Sequence, residues 1–95
     1  MVRLVSIPNR KQLAFDIVKT AYRFPFNATI ILKISGQTVD ARNLKEIVDA
    51  LATAESIKIK MFVAEQDMEV LYLDEIRSSF QTLFKVYGID CSFYF

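Results

Sequence analysis

Apolar positions along the chain recur at two periods, the alternation of a strand and the three-to-four spacing of a helix, and the period switches several times. Val2 to Ile7 alternates and reads as a first strand, closed by Pro8. Leu13, Ala14, Ile17, Val18, Ala21, Tyr22 and Phe24 then fall on one helical stripe. Asn9 supplies an N-cap, Gln12 the capping-box position, and Pro25 the stop. Ala28 to Ile34 is rich in β-branched residues, with Ile30, Leu32 and Ile34 on one face. Ser35 to Gln37 is a tight-turn signal, and Thr38 to Ala41 continues as the partner strand of a hairpin.

A second helix starts at the cap Asn43, with Glu46 three residues on, and ends near Ala54. Leu44, Ile47, Val48 and Leu51 form its apolar stripe. Next, Ile57, Ile59, Met61 and Val63 alternate with Lys58, Lys60 and Phe62, which face outward. A third helix, capped by Asp67 and running roughly from Met68 to Lys85, buries Leu73, Ile76, Phe80, Leu83 and Phe84. After Gly88 the sequence IDCSFYF alternates once more, as a short extra strand. The predicted order is β-α-β-β-α-β-α plus that terminal strand. Hairpin and one-sided alternation together predict an α+β fold. It is a two-layer open-faced sandwich, a four-stranded antiparallel sheet with three helices on one face.

Composition agrees with one folded domain. The chain has 95 residues, 53% of them apolar and 24% charged, enough to bury a core. The net charge of +1, with both signs interleaved, argues against a strongly basic nucleic-acid binder. Unbroken apolar runs such as Ile30 to Leu32 are far shorter than the roughly 20 residues of a membrane span, and MVRLVSI lacks a secretory core. A single cysteine, Cys91, excludes an internal disulfide and places the expected setting in the cytoplasm.

The chain contains no histidine. This removes histidine acid/base catalysis, histidine metal ligation and phosphohistidine chemistry at once. Asp, Glu, Lys, Tyr and Cys remain, in no cluster that resembles a site, so neither an enzyme, a metal nor a cofactor is expected.

Two segments resemble a known family. LAFDIVKTAYRF is similar to the first helix of HPr, the histidine-containing phosphocarrier of the bacterial sugar phosphotransferase system. SGQTVDARNLKEIVDAL is similar to the segment joining that family's hairpin to its second helix. The likeness extends from residue 2 to about residue 86, giving a domain over 1–86 and an extension over 87–95. It implies the same fold and an ancestral phosphoryl carrier. Aligned through Ala14, the family's phosphoryl-accepting His, its Arg and its Pro correspond to Arg10, Gln12 and Leu13. Arginine stays protonated and is no nucleophile, so the carrier reaction cannot run. The family's regulatory serine corresponds to Asn43, which caps a helix equally well but offers no hydroxyl.

The resemblance therefore implies a non-catalytic regulator or adaptor that binds a protein. Its expected face is Arg10, Lys11, Phe15, Asn43, Leu44 and Lys45, with Val48 beside them; Lys45 stands where the family has Met or Phe. No nucleic acid or membrane partner is expected. The alternative is a sensor of small anionic metabolites, with Arg10 and Lys11 at the helix start as the anion site.

Plainer readings stand beside these. Arg10 and Lys11 are otherwise two solvated charges. Lys58 and Lys60 form a basic stripe with Lys33, or are solvated strand positions that protect an edge. Cys91 without a base reads as a buried strand residue, and Asp40, Glu46, Asp49 and Glu55 as caps and surface. The aromatic tail either packs on its own sheet edge or augments a second chain, in which case residues 87–95 make a homodimer.

Overall fold

A computed structural model describes residues 10–24, 28–54, 57–65 and 70–94. The predicted strand Val2–Ile7, the caps Asn9 and Asp67, and Pro25 lie outside the described residues. The elements in chain order are helix α1 (Arg10–Ala21), strands β1 (Ala28–Ile34) and β2 (Gln37–Asp40), helix α2 (Leu44–Thr53), strand β3 (Ile59–Glu65), helix α3 (Val70–Val86) and strand β4 (Cys91–Tyr94).

The hairpin forms through a two-residue turn. Ser35 and Gly36 both take positive φ, 50° and 95°, and Ile34 pairs directly with Gln37. Positive φ at both turn positions gives the twist that matches the flanking strands, which is why glycine is used there. The passage into α2 is held by side chains. Asp40 Oδ1 accepts the Arg42 N–H at 2.8 Å, and the Asn43 side chain accepts the Glu46 N–H at 3.1 Å. The capping box is one-sided: the Glu46 carboxylate turns to the Asp40 N–H, at 3.4 Å, while the Asn43 N–H goes to the Asp40 carbonyl.

Gly88, at φ 70°, stops α3. The Ile89 N–H reaches back to the Phe84 carbonyl and the Gly88 N–H to that of Lys85, the double closure of a Schellman motif. Ile89 and Phe84 are both buried, supplying the apolar contact that accompanies it.

The strands form one sheet in the order β2-β1-β3-β4. Here the all-antiparallel expectation is corrected: β1 pairs antiparallel with β2 and β3, but β4 runs parallel to β3, so the sheet is mixed. The reason is the crossover. The 17-residue α3 is about 25 Å long and carries the chain back along the sheet, so the next strand starts at the same end as β3. The terminal strand is part of this sheet.

Ile30, Leu32, Ile34, Val39, Ile59 and Met61 project to one side of the sheet and are buried. Leu13, Ala14, Ile17 and Ala21 of α1, Ile47, Ala50 and Leu51 of α2, and Ile76, Phe80 and Phe84 of α3 complete a single core with them. The other side of the sheet has no helix on it among the described residues. Thr29, Lys33, Thr38, Lys60, Phe62, Ser92 and Tyr94 are exposed there.

Candidate functional site

The resemblance implies a working surface at the helix starts. Arg10 opens α1, yet its guanidinium is not free for an anion. Its Nη1 donates to the carbonyls of Leu51 and, at 2.8 Å, Ala54, at the end of α2. Those carbonyls have no partner inside their own helix and carry the negative end of its dipole. Arg42, just ahead of α2, does the same for α1: its Nη2 donates to the carbonyls of Ala21 and Phe24, both at 3.1 Å. Its guanidinium also lies 6.0 Å from the centre of the Tyr22 ring, which gives a half-exposed aromatic a cationic neighbour.

These two contacts fix the helices antiparallel, start against end. Arg10 and Lys11 therefore sit at one end of the pair, and Asn43, Leu44 and Lys45 at the other. The structure does not bring the six expected face residues together. Lys11, Phe15 and Lys45 are exposed, Leu44 packs partly on the core, and Asn43 is occupied as a cap. Val48, expected beside them, is also partly buried against the core.

One further contact ties the end of α3 to α1, and one thiol lies beside that end of α3. Tyr87, one residue after α3, donates its phenolic O–H to Asp16 Oδ2 at 2.6 Å, and Gln12 Nε2 donates to the other carboxylate oxygen at 3.0 Å. Partial burial, the hydrogen bond and the Asp16 charge push the Tyr87 phenol up to about 12, so it is a fixed donor at neutral pH. Cys91 faces a groove of about 520 Å³ between the end of α3 and β4, with Phe84, Lys85, Ile89 and Phe93 around it. Burial pushes its thiol up to about 12 as well, so it is not a nucleophile. Among the described residues no cluster of carboxylates and thiols is placed to hold a metal.

The side of the sheet opposite the helices gathers residues that the sequence scatters. Ile31, Phe62 and Tyr94 lie in register across β1, β3 and β4. The Phe62 and Tyr94 rings stack at 5.1 Å with 14° between their planes, and remain 37% and 51% exposed. In the adjoining row Lys33 faces Lys60, flanked by Thr38 and Ser92. An outward Phe62 in the alternation calls for a partner or the C-terminal strand to cover it, and Tyr94 of that strand does so in part; the joining of the pair to the lysine row comes from the parallel pairing of β4. Edge protection does not explain Lys60, since β3 lies between β1 and β4.

No family model, no curated protein and no solved structure matches the chain. Among the described residues no helix is long and apolar enough to cross a membrane.

Proposed function

We propose that the protein is a non-catalytic binding module whose working surface is the side of its sheet opposite the helices. The observation that carries this reading is the Phe62–Tyr94 stack, left exposed beside two lysines in direct register. Like charges placed opposite one another on a sheet are destabilising, and large aromatic rings in water forfeit the gain of burial. Both costs are offset when a partner covers the face. The non-catalytic half of the proposal rests on the chemistry of the side chains. The position that resembles a phosphoryl-carrying histidine holds Arg10, committed to the end of α2, and the neutral Cys91 and Tyr87 offer neither nucleophile nor base.

Affinity capture from cell extract with three baits tests the choice of face. The unaltered chain and a Lys11→Glu/Lys45→Glu variant should retain the same partner, and a Lys60→Glu/Tyr94→Ala variant should lose it. The opposite pattern would return the interaction to the helix starts and to the regulator implied by the HPr resemblance.

A further inference from the structure

Resting on the sheet-face reading, we propose that the occupant of this face is a short single-stranded nucleic acid, its bases stacked on the Phe62–Tyr94 pair and its phosphates held by Lys33 and Lys60. Charge, shape and size point the same way.

The whole-chain charge of +1 hides a local segregation. On the side opposite the helices Lys33 and Lys60 meet directly, and Lys58, one residue before β3, is exposed in the same alternation. No ion pair engages any of the three among the described residues. Two carboxylates share this side among the described residues, Asp40 at the β2 corner, where it already accepts the Arg42 N–H, and Asp90, exposed one residue before β4 and level with Lys58, so the lysines outnumber them three to two. The face thus calls for an anion. A second copy of the same face would set lysines against lysines, so self-association is disfavoured.

Two features separate a nucleic acid from an acidic protein. First, the aromatic rings already form a stack, and β4 is an edge strand among the described residues. A base laid on the outer face of Tyr94 continues that stack. Lys60 lies two residues, about 6.6 Å, from Phe62 along β3 and one strand in from Tyr94, within reach of the backbone of a strand that crosses the sheet, not of the phosphate beside the base on Tyr94. Second, the face is small. Three interstrand steps and seven residues give about 15 by 23 Å, roughly 350 Å². A stable protein interface takes about 800 Å² from each partner. Four-stranded sheets that bind single strands accommodate two or three stacked bases, which this area fits.

Fluorescence anisotropy on the full chain, with fluorescein-labelled oligothymidylate and oligouridylate, tests the proposal, with a duplex of equal length and an oligoglutamate as comparisons. Single strands should bind more tightly than the duplex or the oligoglutamate. Raising the salt fourfold should weaken binding about sevenfold if two phosphates are neutralised. Lys33→Gln/Lys60→Gln should remove most of that salt dependence. Tyr94→Ala should weaken binding about tenfold or more, whereas Tyr94→Phe, which keeps the ring, should bind as the parent does.

No oligonucleotide binding, or binding that none of these variants alters, overturns the proposal. Oligoglutamate binding on this face, with oligonucleotides inert, also overturns it but leaves the sheet-face reading standing with an acidic protein as partner. Nuclear Overhauser contacts from residues 1–9 to Phe62 and Tyr94 in the free chain would overturn both.

Discussion

Arg10 and Arg42 each close the helix that the other introduces. Arg10 begins α1 and donates to the last carbonyls of α2, while Arg42 precedes α2 and donates to Ala21 and Phe24 at the end of α1. A cation at a helix start is unfavourable for its own helix, but here it lies against the negative end of the neighbour. The exchange sets the direction and offset of the two helices, whose buried faces also meet in the core.

Removing either guanidinium should therefore cost stability without affecting the rest of the fold. Arg10→Ala and Arg42→Ala are each expected to lose about 1–2 kcal/mol, a charged donor to two carbonyls being partly replaced by water. For a domain of this size that is a fall in Tm of roughly 4–8 °C per kcal/mol. The two sites are separated by the length of α2, about 15 Å, so the double variant should be additive to within about 0.5 kcal/mol. Lysine at position 10 should restore part of the loss, since an ammonium lacks the planar fork that spans both carbonyls.

The hairpin turn makes a second, opposite pair of expectations. Gly36 has open space where a Cβ would stand, but its φ of 95° strains any L side chain, so Gly36→Ala should cost about 1 kcal/mol. Ser35, at φ 50°, would be better served by asparagine, and Ser35→Asn should add a few tenths of a kcal/mol. Urea midpoints with unchanged slope would establish both effects.

The sequence made much of the fold legible, and the particular residues show where that stopped. The stripe Leu13, Ala14, Ile17 and Ala21, the inward Ile30, Leu32 and Ile34, and the cap Asn43 all follow from local periodicity and local hydrogen bonding, and all are found as read. The pairing of β4 was not legible, because alternation in IDCSFYF fixes which side each residue faces but not the neighbour or the direction. That information lies in the span of α3. The role of Arg10 is hidden for the same reason: as a sequence feature it is a cation at an unfavourable helix end, and its partners are more than forty residues away. The Phe62–Tyr94 patch depended on both kinds of long-range fact.

Tyr87 gives the protein a pH dependence at the alkaline end. Its phenol lies at about 12 in the folded state against 10.0 ordinarily, so the folded chain holds that proton more tightly than the unfolded one. The stabilisation is complete below pH 10 and is lost as pH rises from there to about 12. Tyr87→Phe should remove this part of the alkaline loss. Asp16→Asn should shift it to lower pH by removing the negative charge that opposes phenolate formation. Stability measured against pH for the three chains, alongside phenolate absorbance, separates this group from the other tyrosines.

Cys91 supplies a kinetic expectation. Its side chain lies on the inward side of β4 opposite Ile59, and burial raises the thiol from 9.0 to about 12. The folded chain therefore holds less thiolate at mildly alkaline pH than the unfolded chain. Iodoacetamide should accordingly label the native protein very slowly and the urea-unfolded protein at the rate of a free cysteine. Opening of β4 gives the reagent fuller access to this half-buried thiol, so Gly88→Ala should accelerate native labelling. That substitution strains a φ of 70° in the Schellman closure that leads into the strand, while leaving the thiol itself unaltered. Rapid labelling of the native parent chain, at a rate Gly88→Ala does not change, would show instead that the thiol is already exposed in the groove beside α3.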